Sequence, residues 1–285
     1  MGIDVHGLNF LRHTSRKRPL GDTMTIGRQG LHVAEGMVKK ILHTAPSYQH
    51  QMYCEDLLTG YFGATKVDSL DNSSYEKATH IHNMNEPLPE SLYGKYDTVI
   101  DGGCLEHIYN APQALMNCSL LCRPGGQILH ILPANNFCGH GFWQFSPELF
   151  FSLYSQANGY VETEVFMANL SDTGRWYQVK EPRDGVRVNV SSSTELYALV
   201  RTVLKGKSFS HSHVQQSDYV YEWENTKVLA GLGSGSKGLR EMLKNNPVTY
   251  WLLSPIYRLY LRSRTRTGLN ARNPGLTVIQ IKSWI

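Results

Sequence analysis

Tyr96-Asp-Thr-Val-Ile-Asp-Gly-Gly-Cys-Leu-Glu-His-Ile108 joins a strand to a glycine-rich turn and a charged segment. Tyr96–Ile100 is the clearest strand signal in the chain, and it runs straight into Asp101-Gly102-Gly103. Downstream, Ala111–Cys122 carries Ala114, Leu115, Cys118, Leu121 and Cys122 at helical spacing. That helix stops at Arg123-Pro124-Gly125-Gly126, a strong terminator, and Gln127–Leu132 reads as the next strand. Pro147–Ser155 predicts a helix, with Ser146 as N-cap and proline at the first position. Val161–Phe166 and Glu195–Thr202 are the last two strands.

Upstream the alternation continues. Thr79–His82 and Ala64–Leu70 are strand candidates, and Cys54–Tyr61 is a short helix. Leu31–Leu42 predicts a helix with Leu31, Ala34, Val38, Ile41 and Leu42 on one face, after a strand Thr23–Ile26 that ends at Gly27. Residues 1–20 are polar and basic without a clear period, and residues 231–238 have a linker's composition. This pattern predicts an α/β chain with a doubly wound, Rossmann-like, mostly parallel seven-stranded sheet. The irregular connection between the last two strands predicts an antiparallel strand at the sheet edge. The expected division is an N-terminal segment 1–20, a domain 21–204 and a C-terminal extension 205–285.

The charge is uneven. The chain has 28 Lys+Arg and 24 Asp+Glu, yet no acidic residue follows Glu241, where seven basic residues remain. The mildly acidic body excludes a histone-like protein, and with no binding signature it argues against a nucleic-acid partner. No run approaches the roughly 18 apolar residues that span a bilayer. Five cysteines without a CxxC pair, and no apolar run after Arg16-Lys17-Arg18, point to a reduced, cytoplasmic protein. Val248–Arg266 has an amphipathic pattern with a basic side, interfacial Trp251, Tyr257 and Tyr260, and a break at Pro255. It suits docking on the domain, a second copy of the chain in a homo-oligomer, or an anionic membrane surface.

The run through Asp101 and Glu106-His107, followed by a helix and Leu-Cys-Arg-Pro-Gly-Gly126, resembles the class I S-adenosylmethionine-dependent methyltransferases over roughly residues 20–202. In that family the fourth strand ends in an acidic residue, and a Pro-Gly-Gly turn leads into the fifth. The resemblance implies S-adenosyl-L-methionine as cofactor. Asn135–Glu148 also looks like a subgroup associated with sugar or cell-surface modification. The chain departs from the family after the first strand. It keeps Gly27 and Gly30 of the glycine-rich turn but carries Arg28 and Gln29 between them.

The strand-end rule then selects the site residues. Gly27, Arg28 and Gln29 are expected at the cofactor, with Arg28 available to the methionine carboxylate. Asp71 suits the ribose hydroxyls, with Asp68 as the competing choice and a turn cap as the structural alternative. Asn83 and Met84 stand where the family contacts adenine. Asp101, Gly102 and Gly103 are expected at the methionine end, with helix capping by Asp101 as the alternative. His107 and His140 are the candidate bases for the acceptor's proton; structural hydrogen bonding is the alternative for His107. Phe142, Trp143 and Phe145 form either a substrate wall or core. Cys104 and Cys138 read as packing. His80/His82 and His211/His213 repeat a two-residue spacing, but no third ligand is evident, so no metal is expected. These readings point to methyl transfer onto an oxygen or nitrogen of a small molecule or sugar. The rival is a methyltransferase-like binding or scaffold module without turnover, motivated by the altered glycine turn. A nicotinamide oxidoreductase ranks third, since GxGxxG does not occur.

Overall fold

In the computed structural model, residues 2–43, 51–206, 210, 214–229, 251, 255 and 267–281 are described. Eleven strands occur among them: β1 Gly2–Ile3, β2 Gly21–Ile26, β3 Gly30–Leu31, β4 Ala64–Asp71, β5 His80–Ile81, β6 Tyr96–Asp101, β7 Cys122–Asn135, β8 Tyr160–Asn169, β9 Arg175–Val179, β10 Leu196–Leu204 and β11 Leu276–Gln280. The α-helices are α1 Val5–Lys17, α2 Glu35–Leu42, α3 Glu55–Tyr61, α4 Ala111–Leu121, α5 Pro147–Leu153 and α6 Ser217–Leu229.

Nine strands make one sheet in the order β11-β9-β8-β10-β7-β6-β2-β4-β5. The run from β5 to β7 is parallel, and its chain order reverses at β2. That is the doubly wound arrangement, with its switch point between β2 and β6. Successive residues of the central strands face opposite layers. Val99, Ile128 and Leu132 join α4 and α5 on one face, while Ile100, Leu129 and Ile131 join α1, α2 and α3 on the other.

The strand expected at the edge, Glu195–Thr202, forms β10 in the interior, and the antiparallel edge of the sheet is β11. β10 lies between β7 and β8 and is antiparallel to both. All of its residues except Tyr197 are buried, as an interior strand requires. The connection expected to be irregular supplies β9, and the chain returns at β11 to pair with β9. Part of the region 205–285 therefore belongs to the same sheet. The 231–238 linker, His211, His213 and most of Val248–Arg266 lie outside the described residues.

The N-terminal segment differs more from its reading. Asp4 caps α1 by accepting from the Gly7 amide at 2.8 Å. Leu8, Phe10 and Leu11 are fully buried, and Phe10 meets Phe166 and Trp176 edge-on at 6.5 and 6.1 Å. His6 receives the Trp176 indole N–H on Nδ1 at 3.1 Å, and its Nε2 donates to the Asn169 carbonyl at 3.0 Å. β1 pairs with β3 beside the turn after β2. Residues 2–17 are thus a layer of the domain. Buried polar residues on α1 blur the apolar period that would reveal this from sequence.

Burial and the nearby Lys17 charge push the His13 imidazole down to about 4. The unfolded chain takes up a proton near 6.5 while the folded chain does not until about 4, so stability falls as pH drops through that window. We expect a loss of about 2–3 kcal/mol between pH 7 and 4.5, measured by urea denaturation, and a smaller loss in His13→Phe. Equal losses in the two proteins would show that His13 is not the source.

Candidate active site

The carboxyl ends of β2, β4, β5, β6 and β7 gather the loops that hold the predicted residues, as the switch-point rule requires. The centre is built on Asp101, which is fully buried at the end of β6. Its Oδ1 accepts from the Cys104 and Leu105 amides at 3.0 and 3.3 Å, capping the 3₁₀ turn Leu105–His107. Its Oδ2 pairs with Nδ1 of His130 at 2.9 Å, and His130 Nε2 pairs with the Tyr154 hydroxyl at 2.6 Å. Both oxygens are committed to the protein. The expected contact of Asp101 with the cofactor is therefore replaced by the capping alternative. The cross-strand partner of His130 appears only once the β6–β7 register exists.

The capped turn presents Glu106 and His107. Glu106 is 2% exposed, and its Oε2 has no hydrogen-bond partner. Burial, with the Asp101 charge behind it, pushes the carboxyl up to about 8. The loop after β7 wraps this residue: the Glu106 carbonyl accepts from the Phe142 amide at 2.7 Å and the Trp143 amide at 3.3 Å. A Cβ on Gly141 would lie 2.7 Å from that carbonyl oxygen, and the φ of Gly141 is +69°. Only glycine fits at position 141. The wrap brings His140 over Glu106, with Nε2 3.5 Å from Oε1, while His107 Nε2 lies 3.8 Å from the same oxygen. The two imidazoles are 4.9 Å apart, edge to face. Burial, then the neighbouring His140, lowers the His107 pKa. Sequence reading named both histidines but gave Glu106 no role of its own; the glycines that pack around it were the available signal.

Above the histidines lies an aromatic rim. Tyr109 and Phe142 are 76% and 68% exposed and meet edge to face at 6.5 Å. The Trp143 indole is tethered to the Ile108 carbonyl at 3.0 Å. Phe145 instead enters the core, so the aromatic cluster divides between wall and packing.

The cofactor residues fall into three groups. Asp71 accepts from the Ser73 amide at 3.1 Å through Oδ1 and keeps Oδ2 without a protein donor. Its rival Asp68 is buried and bound to the Tyr96 hydroxyl and Lys66 at 3.0 and 2.7 Å. Gln29 is buried at the switch point. Its amide N–H donates to the Ile26 carbonyl at 2.7 Å, and Oε1 has no donor. A Cβ on Gly102 would lie 2.4 Å from that oxygen, so Gly102 is the cradle for Gln29. Gly27 and Gly103 turn with φ of +71° and +86°.

Three expected cofactor contacts are redirected. Arg28 donates to Glu55 at 2.6 Å and to the Glu76 carbonyl, over the Tyr53 ring, so it is not a free cation for a carboxylate. Met84 is buried in the core beside Asn117. Asn83 turns its carbonyl to the Asn85 amide at 3.0 Å, which leaves its N–H groups as the available polar contact.

The unpartnered Gln29 oxygen, the Asp71 oxygen without a donor among the described residues, and the positive-φ turns at Gly27 and Gly103 fit an adenosyl amino acid: an acceptor for its ammonium, an acceptor for its ribose, and a backbone that a ligand can approach closely. Among the described residues, no helix is long and apolar enough to cross a membrane.

No family model and no curated protein matches the sequence. Solved structures do. The CMeT domain of a citrinin polyketide synthase is 14% identical, covering 71% of this chain and 52% of that one, with TM-score 0.40. The branched-chain polyamine synthase of Thermus thermophilus is 13% identical over 74% and 59%, with TM-score 0.38. Phosphoethanolamine N-methyltransferase 2 of Haemonchus contortus, solved with S-adenosyl-L-methionine, is 17% identical over 56% and 38%, with TM-score 0.34. The chain spans less than two thirds of each. Likenesses this distant carry no argument about chemistry; the strand order above carries the fold.

Asp101→Ala leaves His130 buried without its partner and uncaps the 3₁₀ turn. We expect a stability loss of about 3–5 kcal/mol in urea denaturation, against at most about 1 kcal/mol for Asp71→Ala in its exposed turn. Equal losses would place the keystone elsewhere.

Proposed function

We propose that this doubly wound chain has the class I methyltransferase fold and transfers a methyl group from S-adenosyl-L-methionine to an oxygen or nitrogen of a small molecule or sugar. The observation that carries this reading is the convergence of His107 and His140 on the buried carboxyl of Glu106, beside the switch-point crevice. The cofactor, when bound, supplies a methyl group made electrophilic by its sulfonium. Asp71 accepts from the ribose hydroxyls, Gln29 Oε1 from the ammonium, and Asn83 donates toward the adenine ring. Gly27 and Gly103 allow the backbone close approach.

The acceptor lies against Tyr109, Phe142 and Trp143, whose exposed faces suit the apolar face of a sugar or a flat ring. Its nucleophilic atom points to the Glu106–His107–His140 cluster, into which its proton is lost as the new bond forms. Fixing the reacting atoms in line supplies most of the catalysis, and removing the proton supplies the rest. The five free cysteines accord with a reducing, cytoplasmic setting.

One observation favours the rival reading, a binding module without turnover: Gln29 fills the crevice at Gly102, where close approach to a cofactor is needed. Calorimetry separates the two. We expect S-adenosylhomocysteine to bind, and Asp71→Ala to weaken it by about 1.5–3 kcal/mol. No binding at millimolar ligand would support the silent module. For turnover, His140→Ala should lose about 10²–10⁴-fold in kcat while keeping cofactor affinity. A normal rate would remove the cluster from the chemistry.

A further inference from the structure

Glu106, His107 and His140 bring one carboxylate oxygen and two imidazole nitrogens within 4.8 Å of one another. Among the described residues this is the one group of three such donors that converges. The Glu106 oxygen is 3.5 Å from His140 Nε2 and 3.8 Å from His107 Nε2. Donors bound at about 2.1 Å around a tetrahedral ion stand roughly 3.4 Å apart, so each imidazole is already within a few tenths of an ångström of that distance from the carboxylate, while the two imidazole nitrogens lie within 4.8 Å of one another. The two imidazoles are about half exposed and have freedom to close that gap. Glu106 does not move as easily, because Gly103, Gly141 and the Phe142 amide hold it.

A second observation points to a ligand. The Glu106 side chain is 2% exposed, no Lys or Arg pairs with it among the described residues, and Oε2 has no hydrogen-bond partner. Burying a carboxylate in this way is costly unless a cation or donor arrives. Two neutral imidazoles and one carboxylate, with the open side facing the acceptor, form the donor set of a catalytic first-row cation site.

We propose that Glu106, His107 and His140 hold a divalent first-row cation, of the Zn²⁺ or Mn²⁺ kind, at the acceptor end of the site. The fourth position is open to the acceptor's hydroxyl, whose proton is more acidic on the cation. As the acceptor oxygen forms its bond to the methyl carbon, the sulfur–carbon bond breaks and its electron pair stays on sulfur. The acceptor proton leaves to solvent on the open side of the site, where the imidazoles of His107 and His140 are exposed. This role rests on the methyl-transfer reading; the binding of the cation does not.

The test uses the full chain, freed of metal by a chelator and titrated with Co²⁺ while visible absorption is recorded. We expect one equivalent to develop a d–d band that Zn²⁺ displaces. His140→Ala, at an exposed side chain that the fold does not need, should weaken Co²⁺ at least tenfold, and Glu106→Gln likewise. His82→Ala, outside the cluster, should leave the band unchanged. A wild type without the band, or a band that survives in both His140→Ala and His107→Ala with unchanged thermal midpoints, overturns the proposal. S-adenosylhomocysteine affinity measured on the same samples keeps the two readings apart. Co²⁺ binding without it fails methyl transfer and spares the cation site; the converse result fails only the cation.

Discussion

The buried pair of Asp101 and His130 is the constraint on which the rest of the site depends. The two residues are register partners on adjacent strands, so the pair forms only when β6 and β7 align correctly. A buried polar pair of this kind repays its desolvation only with further hydrogen bonds, and here they exist. Asp101 takes two backbone amides from the turn that follows it, and His130 takes the Tyr154 hydroxyl. Removing either member strands the other in a medium that cannot solvate it.

From that pair the site follows outward. The two amides fix the turn Leu105–His107, so Glu106 points inward and His107 outward. The inward carboxyl and its carbonyl then template the loop from Asn136 to Trp143, which closes over them through Gly141. On the opposite side of the crevice, the turn after β2 is clamped from two directions. Cys54 donates its amide to the Gln29 carbonyl at 3.0 Å, and β1 pairs with β3. This clamp keeps Gln29 seated on Gly102 and gives the N-terminal segment a reason to be part of the domain. The structural carboxylate and the chemical one thus sit on one short turn, the first satisfied and the second not.

Much of the framework was legible in sequence because it follows from local periodicity. β4, β6 and the helices α3, α4 and α5 stand within a residue or two of their expected bounds, since strong apolar patterns and terminators such as Pro124-Gly125-Gly126 leave little choice. α1 was missed because His6, Asn9, Arg12 and Thr14 are buried polar residues on an otherwise apolar face. β9 and β11 were missed because short strands at a sheet margin acquire their meaning from a partner far away in sequence.

Alternation and the doubly wound rule were enough to put Asp71, Gly102, His107 and His140 in the loops that follow the parallel strands. Only the tertiary structure decided what each strand-end side chain does there. Asp101 became a buried cap, Arg28 a partner of Glu55, Met84 a core residue and Glu106 the unsatisfied carboxyl. The reason is physical. Periodicity fixes where a backbone goes, but the role of a polar side chain is set by which donors and acceptors remain unpaired around it, and those come from segments distant in sequence and close only in the folded chain.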